Sequence, residues 1–260
     1  MYRILAAALA AAALLVNAAA ARADAFADII KNGTLRVAVP LDVPPFGSMS
    51  PDRKPEGFDI DLATMVGKAL GVKVELQQVT AANRIPYLLT DKVDVVISVM
   101  GLTPERAKQV MFTAPYADTH LAVYGPKGSN VKSADELGTL KVVAAKGTTQ
   151  DLGLAEMNPR ANIMRTEDDA TAATAYLTGQ ADLFATNSLI IPDLMKRAPN
   201  KEFDLKFVIR RSPAHMGVRM GEFTLLQWLN SFIFFTTMNG ELDRLHRKWL
   251  GVPMAPLPTL

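Results

Sequence analysis

Strand and helix patterns alternate over the first hundred residues, and this order constrains the fold more than any other feature of the sequence. Residues 34–39 (TLRVAV), 72–79 (VKVELQQV) and 93–99 (VDVVISV) have the β-branched or alternating patterns of strands. Residues 57–70 and 83–89, which lie between them, have helical patterns. This alternation predicts an α/β sheet with parallel strands and crossover helices. The loops after the three strands should therefore share one edge, where α/β proteins bind ligands.

The amino terminus has the pattern of a secretory signal peptide over residues 1–23. Arg3 precedes the apolar residues 4–16, and Ala21-Arg22-Ala23 forms an A-x-A cleavage site. No later stretch is long and apolar enough to span a bilayer, and the chain has no Cys for a lipid anchor or a disulfide. We therefore expect an exported, periplasmic protein.

The mature chain is long enough for one large domain or two smaller ones. Without Arg3 and Arg22 of the leader, the 28 basic residues become 26, which equals the number of acidic residues. A chain without net charge gives no reason to expect nucleic acid or an anionic membrane surface as a partner.

Residues 99–116 (VMGLTPERAKQVMFTAPY) combine a backbone turn, a helix start and a fixed cation. Gly101 leaves the backbone bare, Thr103 suits an N-cap, and the Pro that follows suits the first helical position. Arg106 adds a guanidinium fork to the unpaired N–H groups of this helix start, and together they fit one carboxylate. A capped surface helix with Arg106 in solvent is the alternative, which these residues alone favour.

Six short motifs are distributed across nearly the whole mature chain, and their order and spacing are informative together. They are PPF (44–46), GFDIDLATMVGKAL (57–70), KVDVVIS (92–98), LTPER (102–106), FTAPY (112–116) and WLG (249–251). Together they resemble the bacterial extracellular solute-binding proteins that carry polar amino acids. The resemblance reverses the preference at residues 99–116 and favours a carboxylate site at Arg106.

The resemblance implies the two-lobed, type II fold of periplasmic binding proteins. Each lobe would be an open, mainly parallel sheet flanked by helices, and two crossing strands would act as the hinge. Lobe 1 would contain residues 24–122 and 216–260, and lobe 2 would contain residues 123–215. The lobes would close on a ligand held between them.

The resemblance also assigns binding roles to residues on both lobes. Arg106 would bind the α-carboxylate of the ligand, the Gly101 N–H would assist it, and the Val99 carbonyl would accept from an ammonium group. The turn at Thr148 and Thr149 opens a helix in the second lobe and would hold the carboxylate from the other side. Plain helix capping is the alternative for this turn.

Other positions bear on the identity of the ligand. An Arg at the position of Arg84 reaches the side chain of acidic ligands in the resembling family, although a solvated Arg at a helix start is the alternative. Asn187 stands where the family usually has an Asp that pairs the α-ammonium. Pro40 and Val43 also depart from the family pattern, in which a charged residue and an aromatic are common. Phe58 either lines the pocket or packs in the core beneath it.

No arrangement of catalytic or metal-binding residues is evident in the sequence. His120, His215 and His246 are isolated, without the spacing of a metal site or a catalytic triad. Asp59 and Asp61 are two residues apart, so they do not share a helical face, and stabilisation of the first helical turn explains them better. We expect no catalytic residue, no metal and no cofactor.

The expected function is that of the periplasmic substrate-binding component of an ABC importer. It would bind a small acidic or polar amino acid by its carboxylate, as a monomer, and deliver it to a permease in the inner membrane. One alternative is a related carboxylate without an α-ammonium. Another is an enzyme similar to cyclohexadienyl dehydratase, which needs a buried acid that the sequence does not place, since the position considered first is Asn187. A sensor ectodomain is a third class, which the absence of a signalling domain disfavours.

Overall fold

Two five-stranded sheets flanked by helices form the computed structural model of the chain, which describes residues 25–259. The predicted signal peptide, residues 1–23, lies outside the described residues. The two sheets and their helices confirm the predicted α/β fold with two lobes. No helix within the described part of the chain has both the length and the apolar character needed to cross a membrane.

The elements follow one another in the predicted alternation. In chain order the strands are β1 (Thr34–Val39), β2 (Ser48–Met49), β3 (Pro55–Glu56), β4 (Lys73–Gln78), β5 (Val95–Gly101), β6 (Val110–Ala117), β7 (His120–Gly125), β8 (Lys141–Ala145), β9 (Asn162–Thr166), β10 (Leu183–Asn187), β11 (Asp204–Arg211) and β12 (Ala214–Arg219). The helices are α1 (Ala25–Asn32), α2 (Phe58–Leu70), α3 (Arg84–Leu89), α4 (Pro104–Ala107), α5 (Thr149–Met157), α6 (Asp169–Leu177), α7 (Ile191–Arg197), α8 (Phe223–Met238) and α9 (Glu241–Leu250).

Both sheets mix parallel and antiparallel pairs. The first sheet has the order β4-β1-β5-β12-β6, in which β1 is parallel to β4 and β5, and β12 is antiparallel to β5 and β6. The second has the order β11-β7-β10-β8-β9, in which β8 is parallel to β9 and β10, and β7 is antiparallel to β10 and β11. The prediction of mainly parallel sheets is confirmed, because four of the five strands in each sheet run in one direction and only β12 and β7 run against them.

The chain passes between the two sheets twice, and the two passages run side by side. The first joins β6 to β7 through Asp118 and Thr119, and the second joins β11 to β12 through Ser212 and the Pro after it. The Ser212 N–H donates to the Thr119 carbonyl at 2.8 Å, and Arg211 pairs with Asp118 at 2.8 Å. The lobe limits given by sequence, at 122/123 and 215/216, stay a prediction, since these crossings mark only where strands change sheet.

Glycines at both ends fix the extent of α2. Gly57 precedes the helix with φ +137°, and a Cβ there would overlap the Phe46 carbonyl. Gly71 ends the helix in the left-handed conformation, and its N–H reaches the Gly67 and Lys68 carbonyls. These local signals explain why the sequence placed this helix correctly.

Phe58, which the sequence offered as a pocket residue, lies in the core of the first lobe. Its ring is fully buried and stacks on Tyr116, with ring centroids 5.9 Å apart. It also meets Phe46 and His246 edge-on, at 5.9 Å and 5.0 Å. The pocket role is therefore wrong for Phe58, and the core alternative is correct.

Truncation of Phe58 should destabilise the first lobe strongly. We expect Phe58→Ala to lower the free energy of unfolding by about 3–5 kcal/mol, because it leaves a cavity among packed rings. Phe234→Ala is the matched control, since that ring is 69% exposed, and it should change stability by less than about 1 kcal/mol. Urea unfolding measures both values, and equal effects of the two variants would contradict this packing.

Candidate ligand-binding cleft

A small cavity separates the two lobes beside the chain crossings. Its volume is about 40 Å³, measured for the centre of a water-sized sphere, which accommodates only a few water molecules. Pro40, Ala81 and Val99 line it from the loops and strand end at the carboxyl edge of the first sheet. The prediction that these loops share one edge is therefore confirmed, and the lobes are closed over that edge.

The structure brings together most of the residues that the sequence proposed for binding. Five of the proposed residues line the cavity, namely Arg84, Val99, Thr148, Thr149 and Asn187. Arg106 and Thr103 line a neighbouring groove between the lobes, and Arg106 reaches the cavity wall through Thr149. Gly101 contributes its backbone next to the same wall.

The Arg106 guanidinium connects the two lobes through neutral oxygen atoms. Its Nη1 donates to the Gly101 carbonyl at 2.7 Å and to the Thr149 hydroxyl at 2.9 Å, and its Nη2 donates to the Gly147 carbonyl at 2.8 Å. Burial, with the nearby cations Arg84 and Arg210, lowers the pKa of Arg106 to about 9. No carboxylate within residues 25–259 forms an ion pair with Arg106, so this buried cation has no counter-ion.

Local capping holds Arg106 in place. The Thr103 hydroxyl accepts from the Arg106 N–H at 3.2 Å, and Pro104 begins the helix, as the sequence predicts. The alternative in which Arg106 points into solvent is wrong, because the residue is only 6% exposed.

Gly101 has no room for a side chain in the closed cleft. A Cβ there would overlap the Ser212 hydroxyl and lie 2.7 Å from the Thr149 hydroxyl. Ser212, which lines the cavity from the second crossing, was not among the residues that the sequence proposed for binding. Because Ser212 is distant in sequence from every proposed motif, only the three-dimensional fold reveals it.

The two threonines at the start of α5 have different roles. The Thr148 hydroxyl caps the helix, accepting from the Asp151 N–H at 3.2 Å and donating to the Ala145 carbonyl at 2.7 Å. The Thr149 hydroxyl accepts from Arg106 across the cleft. Gly147 before them has φ +71°, which a side chain would disfavour. Capping therefore explains the Thr148 hydroxyl, and Thr149 is the one that faces Arg106.

The Asn187 side-chain oxygen is already occupied. It accepts from the Leu189 N–H at 2.9 Å and from the Thr119 hydroxyl. Asn187 is 4% exposed, so few approaches to this oxygen remain. The position where an Asp would pair an ammonium group therefore offers neither a charge nor a free acceptor.

Arg84 is a second buried cation in the wall of the cavity. It is 4% exposed, its Nη1 donates to the Ser98 carbonyl at 2.5 Å, and its Nε has no partner. Burial lowers its pKa, and the nearby carboxyl groups of Asp169, Asp59 and Asp42 oppose that shift. The alternative of a solvated Arg at the helix start is therefore wrong.

Sequence reasoning missed two acids that face the cavity, Asp42 and Asp169. Asp42 lies in the loop after β1, and its Oδ2 accepts from the Asp169 N–H of the other lobe at 3.0 Å. Burial, and then the charge of Asp42, raises the pKa of Asp169 to about 7. The preceding residue, Asp168, caps α6 by accepting from the Thr171 N–H at 2.7 Å. Asp169 is thus free to face the cleft.

Asp59 fixes the backbone of Val99 at the cavity wall. Its Oδ2 accepts from the Val99 N–H at 2.9 Å, and Val99 has φ +44°, an unusual conformation for a β-branched residue. Burial raises the pKa of Asp59 to about 7. Asp61 instead accepts from Lys248 and Trp249 at the surface. First-turn stabilisation alone therefore does not account for Asp59.

Within residues 25–259, no group of three or more His, Cys, Asp or Glu side chains is placed to hold a metal ion. His215 and His246 are buried. A ring nitrogen of His215 hydrogen-bonds with the Thr113 carbonyl, and a ring nitrogen of His246 hydrogen-bonds with the Tyr116 carbonyl. The cleft is therefore built from fixed cations, carboxyl groups and hydroxyls.

The raised pKa of Asp169 makes a prediction about stability and pH. An unfolded Asp titrates near pH 4, whereas Asp169 in the folded chain titrates at about 7. Between these values the folded state binds the extra proton, so stability falls as the pH rises, by up to about 1.4 kcal/mol per pH unit. We expect Asp169→Asn to raise the melting temperature at pH 8 and to have little effect near pH 4.

Asp168→Asn is the matched control for this measurement, because Asn also caps helices and Asp168 lies outside the cavity. It should show a much smaller pH-dependent gain, because the charge of Asp168 is the smallest of the causes that raise the pKa of Asp169. A melting-temperature difference between Asp169→Asn and the unmodified protein that is constant from pH 4 to pH 8 would contradict the raised pKa.

Comparison with known proteins places the chain in a family. Residues 35–252 match the sequence profile of the bacterial extracellular solute-binding proteins, family 3. The ABC transporter glutamine-binding protein GlnH of Bacillus subtilis is 31% identical, over 87% of this chain and 85% of that protein. The cyclohexadienyl dehydratase of Pseudomonas aeruginosa is 27% identical, over 78% of this chain and 80% of the enzyme.

A solved structure agrees with this placement. The crystal structure of the ancestral amino acid-binding protein AncCDT-1, a precursor of cyclohexadienyl dehydratase, superposes with a TM-score of 0.80 at 34% identity. The superposition covers 87% of this chain and 99% of that one. Since the profile match extends over most of its length, the chain belongs to the bacterial extracellular solute-binding proteins, family 3.

Proposed function

We propose that this protein is the periplasmic substrate-binding component of an ABC importer, which binds a small amino acid by its carboxylate and delivers it to a permease in the inner membrane. The observation that carries the proposal is the buried Arg106 guanidinium, which has no acidic partner in the described chain and contacts both lobes. Relatives of the chain, GlnH of Bacillus subtilis among them, are named as binding proteins, which supports binding rather than catalysis.

The chemistry of Arg106 favours a carboxylate ligand. A buried cation without a counter-ion is costly, and a carboxylate forms two parallel, charge-assisted hydrogen bonds with a guanidinium. The Thr149 hydroxyl and the N-terminus of α5 face the same place from the second lobe. A ligand carboxylate there would replace neutral acceptors of Arg106 with a charged one.

The same contacts couple binding to lobe closure. Arg106 and Gly101 belong to the first lobe, whereas Gly147 and Thr149 belong to the second. A ligand held between them stabilises the closed form, because it contacts both lobes only when they are together. The paired crossings at Thr119 and Ser212 are the segments about which the lobes would open. A single chain completes this cleft, so the proposal is for a monomer.

Removal of the guanidinium should abolish binding without unfolding the protein. A thermal-shift screen of the protein amino acids and small dicarboxylates identifies the ligand, because a compound that binds only the native state raises the melting temperature. For that ligand we expect Arg106→Ala to weaken binding by about a hundredfold or more in calorimetry. The melting temperature of the free protein should not fall, because the lost cation has no acidic partner.

Arg160→Ala is the control for this prediction, since Arg160 is an exposed residue remote from the cleft. It should leave the dissociation constant unchanged. An unchanged affinity in folded Arg106→Ala would show that the carboxylate binds elsewhere.

One observation favours a second candidate function, an enzyme similar to cyclohexadienyl dehydratase. Sequence reasoning placed no buried acid in the cleft, but Asp169 lines the cavity with its pKa raised to about 7. A general acid must carry a proton that it can donate, and a carboxyl group that keeps its proton near neutral pH meets that requirement. A relative named as that enzyme covers most of the chain.

Incubation with prephenate and with arogenate separates the two functions. For a binding protein we expect no aromatic product by absorbance above the uncatalysed rate. Product that forms with the unmodified protein but not with Asp169→Asn would establish the second candidate instead.

A further inference from the structure

Two carboxyl groups from opposite lobes meet in the wall of the cleft. Asp42 follows β1 in the first lobe, and Asp169 begins α6 in the second. The Asp169 N–H donates to Asp42 Oδ2 at 3.0 Å, while Asp42 Oδ1 is buried without a partner. Within residues 25–259 neither carboxylate forms an ion pair with a Lys, Arg or His.

A second cavity lies behind this pair and contains another unsatisfied polar group. Its volume is about 120 Å³ on the same measure, and Asp42 and Asp169 line both cavities. Thr186 also lines the second cavity, is fully buried, and has a hydroxyl without a partner. Buried polar atoms without partners are rare in native proteins, and a polar group of a ligand in these cavities would supply the missing hydrogen bonds. Apolar residues such as Leu177 and Phe184 form much of the remaining wall.

Among the described residues, the wall of the cavity offers a cation no charged acceptor besides Asp42 and Asp169. The Asn187 oxygen is occupied by Thr119 and Leu189, so the position that the family uses for an ammonium group is closed here. Arg84 and Arg106 are cations and would repel a positive group. Asp59 is fully buried beneath Val99, and its Oδ2 is bonded to the Val99 N–H. Asp42 and Asp169 are the acids that line the cavity itself.

We propose that Asp42 and Asp169 together form a subsite for a positively charged nitrogen of the ligand. The nitrogen is either the α-ammonium, which Asn187 cannot accept, or an ammonium or guanidinium group on a side chain that extends into the second cavity. The subsite rests on the proposed function, in which Arg106 holds the carboxylate of the same ligand. The ligand therefore carries both a carboxylate and a positively charged nitrogen.

Four compounds of one chain length test the subsite and identify the source of the nitrogen. Lysine carries both ammonium groups, norleucine only the α-ammonium, 6-aminohexanoate only the terminal one, and hexanoate neither. Alanine and propionate make the same comparison for a short chain. Affinities are measured by calorimetry at pH 8, where Asp169 is charged.

We expect at least one ammonium-bearing probe to bind about tenfold to a hundredfold more tightly than its counterpart without that group, as a charge-assisted contact provides. This advantage should disappear in Asp42→Asn and in Asp169→Asn, while hexanoate and propionate bind those variants no less tightly. An advantage of norleucine and alanine identifies the α-ammonium, and an advantage of 6-aminohexanoate identifies the side-chain group.

Asp168→Asn is the matched control, and it should keep most of the advantage of the ammonium-bearing probes, because Asp168 does not line the cavity. Thermal unfolding of each variant shows whether it is folded.

An ammonium advantage that survives in both Asp42→Asn and Asp169→Asn overturns the subsite, and the proposed function stands if Arg106→Ala still abolishes binding. Equal affinity of the unmodified protein for probes with and without ammonium also overturns the subsite. If no probe binds the unmodified protein, the subsite is overturned, and the screen of amino acids then decides the proposed function separately.

Discussion

The two antiparallel crossings of the chain determine both the topology of the sheets and the place of the cleft. Thr119 and Ser212 are joined by a backbone hydrogen bond, so the two lobes are connected by one narrow ribbon. The βαβ order alone would give sheets of parallel strands, and the ribbon adds an antiparallel strand to each sheet. It also places the carboxyl edge of the first sheet opposite the N-termini of α5 and α6. Residues from distant parts of the chain meet at that interface.

The charged side chains of Arg106, Asp42 and Asp169 lie in the interface between the lobes without forming ion pairs with one another. Arg106 is surrounded by the neutral oxygens of Gly101, Gly147 and Thr149. Asp42 and Asp169 lie together and form no ion pair with a basic side chain of the described residues, and burial raises the pKa of Asp169 to about 7 although the nearby Arg84 opposes the shift. Inside a closed cleft these separations are expensive, because the low local dielectric strengthens every uncompensated charge. The proposed ligand, with charged groups of both signs, would compensate both sets of charges.

Local signals explain what the sequence predicted correctly. Thr103 and Pro104 start a helix by capping rules that depend on a few neighbouring residues, and Arg106 is carried with them. The strands, α2 and the shared loop edge follow from short-range patterns in the same way. The turn before α5 was also predicted, although only the structure distinguishes the capping hydroxyl of Thr148 from the cleft-facing hydroxyl of Thr149.

Long-range contacts explain what the sequence could not predict. Asp42 and Asp169 are 127 residues apart, and no pattern near either one refers to the other. Ser212 supplies a hydroxyl beside Gly101 only because the second crossing passes there. Phe58 is apolar and next to a binding loop, which is compatible with either a pocket or a core position, and only its packing on Tyr116 decides between them. These residues required the fold before they could be interpreted.

The unpaired groups also explain why closure would depend on a ligand. Arg106 and Asp42 belong to the first lobe and Asp169 belongs to the second, so an open cleft would expose these charges to water. Closing the cleft removes that water, and without a ligand the desolvation of these charges opposes closure. A ligand that carries a carboxylate and a cation would compensate both sets of charges at once. Its carboxylate would contact Arg106, and its cation would contact Asp42 and Asp169. The closed form is then stabilised by the differential contacts of the ligand, which is the condition for a binding protein to report occupancy by its shape.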